Sequence, residues 1–399
     1  MRGLIGLRRP DAPVVVCIFA YCLVACLVPT AALAGEVKIV HINVGQGDAT
    51  LILGPADSNG DRVSVLIDAG EIPQRGLDGG TIVRSALERH SVQRLNYFIA
   101  THYCCDHIGG VGAGSPGMHG HSFLLGPNGV PGAVGNDDGD GVIDWLDSAM
   151  EKPDPQELGE GDDTPVDRFV DRGTEGTVPD TAAYRKYVGM AEAAVQGRVS
   201  ISSQSTVNSY EIYLGSDGGT VATMKCLAGN GWVRDRAQQV DDVDTENERS
   251  LCFLLSFGGF DYLIGGDVIG RTAGNENAKV EGAIGEYIST NGISVDVLQV
   301  NHHGADNTSD ADFLADIAPT VAIISVGDNN THHHPYADAL DRLATANVVA
   351  IYQTERGETQ GAISDAVVER RIISNGDIVV TSDGTSYEVA ATRRFSIGN

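Results

Sequence analysis

Basic residues are scarce in this sequence: its 399 residues include 27 Lys and Arg against 54 Asp and Glu, and no cluster of Lys and Arg stands out. A chain so charged repels polyanions through its overall field. That excludes nucleic-acid binding by a general basic surface; such a substrate would need metal ions or a local basic patch to offset the charge. Long apolar runs are also missing beyond residue 34, where nothing reaches the roughly 18 to 20 residues of a spanning helix. No internal repeat stands out, which removes solenoids and propellers. Cysteine is sparse, with seven in all and four after residue 34: Cys104, Cys105, Cys226 and Cys252. Four cysteines allow three pairings, and their spacing does not choose among them.

What is present begins with a targeting segment over residues 1–34. Arg2, Arg8 and Arg9 form a basic start, Val14 to Val28 is apolar, and Ala32-Leu33-Ala34 offers a small-residue cleavage site before Gly35. Leu23-Val24-Ala25-Cys26 is an alternative, lipobox-like processing site. Either reading expects export to the periplasm or the exterior, where disulfides can form. Without the leader the chain carries 24 Lys and Arg against 53 Asp and Glu, a net charge of −29.

Strand-then-loop units dominate the remainder. Residues 37–42, 49–53, 62–67 and 95–100 read as strands, with a helix from Thr81 to Arg89 that keeps Ile82, Val83, Ala86 and Leu87 on one face. Residues 111–220 are rich in Gly, Pro and Asp, with one helical stretch at 181–194. They read as an irregular acidic insertion between a first half at 35–110 and a second at 221–399. Strands return at 251–257, 262–264, 295–300, 321–326 and 348–352, with a helix capped by Ser309 and another begun by Pro335. The tail 377–389 reads as a hairpin turning at Asp383-Gly384.

Asp68, His102, Asp267 and His302 each fall at or just past the end of a strand. Strand ends on one sheet edge converge on one crevice, so residues distant in sequence can meet there. The densest group is THYCCDHIGG at 101–110. Imidazoles and carboxylates are the usual zinc ligands, and a tight loop carrying several can hold one ion from more than one side. The bland alternative is a polar surface turn.

This segment resembles the H-x-[HD]-x-D-H-x-G-G motif of the metallo-β-lactamase superfamily. The surrounding sequence resembles the hydrolase domain of the ComEC/Rec2 competence proteins and their secreted relatives. The pieces, in order, are HINVGQGDATLI (41–52), VLIDAG (65–70), THYCCDHIGG (101–110), ENERSL (246–251), GGD (265–267), LQVNHHG (298–304) and HHPYADALDRL (333–343). The resemblance implies an α/β fold, a four-layer αββα sandwich, carrying one or two Zn²⁺ ions, with Mn²⁺ as the other candidate. By the same resemblance, His102 and Cys104 would bind a first ion, Asp106 and His107 a second, Asp267 both, and His302 would complete the set. His303 would lie near the substrate, His334 would be a substrate or supporting contact, and Asp68 would orient the loop. Asp106, His303 and His334 are the expected catalytic residues.

Two departures from the pattern carry consequences. Position 104, ordinarily His or Asp, is Cys; a thiolate is a competent zinc ligand, but Cys104 could instead pair with Cys226 or Cys252. No histidine stands in the third motif, where Asn247 and Ser250 form an Asn-x-x-Ser pattern. Elsewhere, His41 reads as a packed strand residue, His90 as exposed at a helix end, and His332 and His333 as solvated. The VGQGD turn reads as structural, with Asp48 hydrogen-bonded beneath the metal loop.

A second metal signal lies at 136–147, where Asn136, Asp138, Asp140, Asp144 and Asp147 fall at loop positions 1, 3, 5, 9 and 12, with Gly141 at position 6. This is the spacing of an EF-hand-like Ca²⁺ loop with a structural role; the plain alternative is a solvated acidic turn. The expected function is an exported metal-dependent hydrolase acting on a small or envelope ester or phosphodiester. A non-catalytic metal-binding surface module and an extracellular nuclease related to DNA uptake are the competing readings.

Overall fold

Short runs of β-branched and aromatic residues, each bounded by Gly, Asp or Asn turns, build two sheets. The computed structural model describes residues 35–71, 79–111, 166–193, 196–241, 243–270, 280–328 and 330–391. The leader 1–34 and the calcium-like loop with Asn136, Asp138, Asp140, Asp144 and Asp147 lie outside the described residues. No helix among the described residues is long and apolar enough to cross a membrane.

The first sheet has the order β17-β16-β1-β2-β3-β4-β5-β6. Its strands are β1 (Val37–His41), β2 (Thr50–Leu53), β3 (Ser64–Ile67), β4 (Leu95–Ile99), β5 (Val166–Asp171), β6 (Arg198–Ser200), β16 (Ile378–Ser382) and β17 (Tyr387–Ala391). The second sheet runs β15-β14-β13-β12-β11-β10-β8-β7, with the two-residue β9 (Trp232–Val233) paired to β8. It comprises β7 (Glu211–Asp217), β8 (Thr220–Gly229), β10 (Cys252–Phe257), β11 (Phe260–Ile264), β12 (Val297–Gln299), β13 (Val321–Ile324), β14 (Ala350–Gln353) and β15 (Arg371–Ile373). Each sheet is antiparallel on one side and parallel on the other. The change comes after β3 in the first sheet and after β11 in the second.

Strand alternation assigns each side chain to a face. Ile39, Ile52, Val65, Ile67 and Ile99 of the first sheet share one core with Phe253, Leu255, Tyr262, Ile264 and Ile323 of the second. Val40, Leu51, Leu66 and Phe98 face the other way, under α1 (Gly79–Arg89) and α3 (Ala182–Ala193). Leu254, Leu263, Leu298 and Ile324 likewise pack beneath α5 (Val280–Thr290), α6 (Ala311–Ile317) and α7 (Ala337–Thr345). Three separate apolar cores therefore divide four layers, αββα. Strands covered on both faces read as continuous apolar runs, as residues 65–67 and Val321–Ile324 do. The short α2 (Cys105–Ile108), α4 (Gln204–Ser209) and α8 (Asp365–Arg370) complete the described helices.

The structure revises the sequence-based boundaries. Residues 166–220 are not an irregular insertion: β5 and β6 extend the first sheet, and β7 forms the edge of the second. The charges that made this stretch look like loop are satisfied internally. Buried Asp171 accepts from Arg198 at 2.6 Å and from the Tyr187 hydroxyl at 2.9 Å. The cap of α6 is Asp310, whose side chain accepts from the Asp312 amide at 2.9 Å, rather than Ser309. The expected C-terminal hairpin is present, as β16 and β17 paired antiparallel.

Candidate metal centre

The loops after β3, β4, β11 and β12 leave the two sheets where each changes from antiparallel to parallel, and their side chains meet. Asp68 follows β3, His102 follows β4, Asp267 follows β11, and His302 and His303 follow β12. Three of these residues sit in left-handed backbone that non-glycine residues seldom adopt: Asp68 at φ 58°, His302 at 48° and His303 at 53°. Such conformations persist only where surrounding structure enforces them. The VGQGD turn closes on the same place, since a Cβ on Gly47 would stand 2.2 Å from the Asp106 carbonyl oxygen. Gly266, at φ +54°, similarly lets its loop pass the Thr101 side chain.

Asp48, His107, Asp267 and His303 are all buried, and one donor atom from each lies within 4.8 Å of all the others. Asp267 stands between two groups. Its Oδ1 lies 3.1 Å from His107 Nε2 and 3.7 Å from His303 Nε2, while its Oδ2 lies 3.6 Å from His102 Nε2 and 3.7 Å from His302 Nε2. Asp106 Oδ2 approaches His303 Nε2 at 3.2 Å. Asn247 and Cys104 close the His302 side, with Asn247 Nδ2 3.0 Å from His302 Nε2 and the Cys104 thiol 3.5 Å from Asn247 Oδ1.

The structure thus brings together His102, Cys104, Asp106, His107, Asp267 and His302, and places His303 and Asp48 among them. His303 is buried within the cluster against Asp106 and Asp267, and His302 is the more exposed of the pair. Asp48 is joined to the metal loop through its backbone, its amide donating to the Asp106 carbonyl at 3.1 Å. Its two carboxylate oxygens have no hydrogen-bond partner and face the cluster. The sequence signal for this was the acid at the tip of a Gly-x-Gly turn, where glycine marks close backbone approach. Cys104, Cys105, Cys226 and Cys252 are all free thiols, so the alternative disulfides are not formed. His334 is buried with its ring 5.3 Å from that of His302 and 5.8 Å from that of His303. His332 and His333 are exposed, as expected, and His41 is packed inside; His90 is only half-exposed.

A ring of outer contacts sets the donor atoms. Asp68 accepts from the Thr101 amide at 2.8 Å and its hydroxyl at 2.7 Å, and its Oδ2 receives the His107 Nδ1 proton at 2.8 Å. His303 Nδ1 donates to the Ser325 carbonyl at 2.9 Å. In the neutral ring both bonds leave Nε2 as the lone-pair nitrogen, the arrangement seen when a histidine is a ligand. Glu281 is buried beneath the His302–His303 loop, accepting from Asn301 Nδ2 at 2.7 Å and from the Ser309 and Asp310 amides at 2.8 and 3.1 Å.

Burial and mutual charge shift these groups strongly. Burial, the largest influence, pushes the Asp48 carboxyl up to about 6 against the pull of His303 and His107, and the His102 imidazole down to about 3 with help from His107. Burial also disfavours a charged His303, yet Asp267, Asp48 and Asp106 lift it to about 9. Burial opposes ionisation of Asp267, but His107, His302 and His303 hold it well below the usual carboxylate range. Buried polar atoms are ordinarily paired. Here both Asp48 oxygens, Asp267 Oδ1 and the Nε2 atoms of His102, His107 and His303 have no hydrogen-bond partner. Orphaned carboxylate and imidazole donors aimed at one another fit a divalent cation.

Two expected outcomes follow from the outer contacts. Asp68→Asn keeps the left-handed backbone, which Asn tolerates, but spoils the acceptor for His107; metal affinity measured by titration calorimetry should fall about 10–100-fold. Burial raises the Glu281 carboxyl from 4.5 to about 7. A carboxyl raised on folding contributes stability while protonated and loses it as pH climbs from its unfolded to its folded pKa. Between about pH 4.5 and 7, this group should therefore cost the native state roughly 3 kcal/mol. Urea unfolding of Glu281→Gln across that window should show a shallower pH slope than the unsubstituted protein.

Four layers, αββα, thus carry at one sheet edge a buried cluster of carboxylates and imidazoles able to hold metal. No protein-family profile matches the chain. It is 28% identical over 122 residues to ComE operon protein 3 of Bacillus subtilis (strain 168), an alignment covering 31% of this chain and 14% of that protein. Among solved structures it is similar to the metallo-β-lactamase fold protein YhfI from Bacillus subtilis, at 10% identity and TM-score 0.38, covering 80% of this chain and 98% of that one. Human tRNase Z, short form, aligns at 14% identity and TM-score 0.32, covering 73% of this chain and 93% of the other.

Proposed function

We propose that this chain is an exported, metal-dependent hydrolase of phosphodiesters or related esters, with zinc or manganese at the cluster. The observation that carries this is the placement of Asp267, whose two oxygens face separate pairs of imidazoles, His107 and His303 on one side and His102 and His302 on the other. His102, His302 and Asp267 would hold one ion, and Asp48, Asp106, His107, His303 and the same Asp267 the other. Bound there, divalent cations supply Lewis acidity that activates water near neutral pH and offsets charge on the attacked group.

The chain's own residues do the rest. Asp68 and the Ser325 carbonyl fix the protonated nitrogen of His107 and His303, so that Nε2 of each faces inward. Asp48, His102, His107 and His303 are buried and so held away from bulk water. Asp106 and His302 retain about a quarter of their side-chain exposure, 24% and 22%, so substrate approaches over them. Cys104, Asn247 and His334 border that opening. The charge excess favours a small or zwitterionic ester over bulk nucleic acid.

The test is turnover of bis-p-nitrophenyl phosphate and of single-stranded DNA with Zn²⁺ or Mn²⁺. The expected result is hydrolysis of the small diester, with DNA cut slowly or not at all. Inactivity on both, with metal bound, would reject this function.

A further inference from the structure

The two sides of Asp267 differ in chemistry. On the Oδ1 side stand Asp48, Asp106, His107 and His303, a crowded set of carboxylates and imidazoles. On the Oδ2 side stand only two imidazoles, His102 and His302, and beyond them an amide and a thiol. His102 is fully buried, and its Nε2 has no hydrogen-bond partner while facing Asp267 Oδ2. This side therefore also offers an unfilled donor, but it lacks the oxygens of the other. Asn247 spans it, its NH₂ on His302 Nε2 and its oxygen toward the Cys104 thiol.

We propose that the two positions load unequally and in order: the oxygen-rich side first, and the Cys104 side second, with a thiophilic ion such as zinc bound through the Cys104 sulfur. This rests on the metal-centre reading above. Carboxylate-rich sets accept hard ions such as manganese, whereas thiolate selects softer ones. The second ion must also displace Asn247 from His302 and release the thiol proton to solvent, so it binds more weakly. The natural state is then a mixed centre, one hard and one soft ion, in which Cys104 selects the metal.

Cobalt titration of the full metal-stripped chain, kept reduced, tests this optically. The first equivalent should give visible ligand-field bands without a thiolate-to-cobalt charge-transfer band; the second should bring that near-ultraviolet band in. In Cys104→Ser the first equivalent should be unchanged. The second should lose the band and weaken by no less than the roughly 10–100-fold that loss of even an outer partner costs. A charge-transfer band with the first equivalent, or two equivalents bound with no such band, would overturn the proposal while leaving a metal centre in place. Failure to bind any cobalt would overturn the metal centre itself.

Discussion

Asp267→Asn should abolish high-affinity metal binding and lower kcat for any ester substrate by at least about 10³-fold, the scale of several kcal/mol that metal ions contribute to charge stabilisation. This one carboxylate addresses both donor groups: Oδ1 faces His107 and His303, and Oδ2 faces His102 and His302. The imidazoles keep this carboxyl ionised despite its burial. Asparagine preserves the shape but removes the charge and turns one acceptor into a donor, which points an N–H at two imidazole lone pairs or at an ion. Backbone support should survive, because the Asp267 amide donates to Ser250 Oγ at 3.2 Å independently of the side chain. Normal far-ultraviolet circular dichroism with lost metal would separate this effect from unfolding.

Glu246→Ala should cost about 3–5 kcal/mol of stability, the usual result of stranding a buried charge. Arg172 is fully buried and makes a two-pronged pair with Glu246, through Nε at 2.7 Å and Nη2 at 2.6 Å. Its guanidinium also lies 4.5 Å over the Tyr103 ring and donates to the Glu175 and Thr177 carbonyls. Glu246 in turn accepts the Tyr103 amide proton at 2.8 Å. The pair therefore ties the 101–107 loop to the turn that carries Asn247, one residue beyond Glu246. Denaturant unfolding should show the loss in the single variant. Replacing both partners with apolar residues, Arg172→Met with Glu246→Leu, should recover much of it, because no lone charge is then left buried.

The line between what could and could not be read from sequence follows physical reach. THYCCDHIGG, GGD and NHHG each concentrate ligand-type residues at a strand end, so their convergence could be expected from strand geometry alone. The apolar helix stripe of α1 and the Asp-Gly turn of the last hairpin are local signals of the same kind. The Asp48 backbone does bond to the metal loop, but nothing near it in sequence shows that its carboxylate lacks a partner and faces His303, far along the chain. The division of labour between His302 and His303 is set by two consecutive left-handed residues, which adjacent histidines do not announce. The charges of β5 hide it: Val166–Asp171 carries two aspartates and an arginine, and partners elsewhere in the chain, Arg198, Tyr187 and Ser200 among them, explain why Asp171 can be buried. The β7–β8 hairpin was legible in principle, since Gly218 and Gly219 lie between apolar stretches. It was masked by the polar composition around it.

The most direct measurement is the metal content of the full chain after equilibrium dialysis against zinc, with Asp267→Asn dialysed alongside. The expected result is two ions per chain in the unsubstituted protein, and essentially none held by the variant. An unsubstituted protein that retains no ion, or a variant that retains as many, would contradict a centre organised around the shared carboxylate.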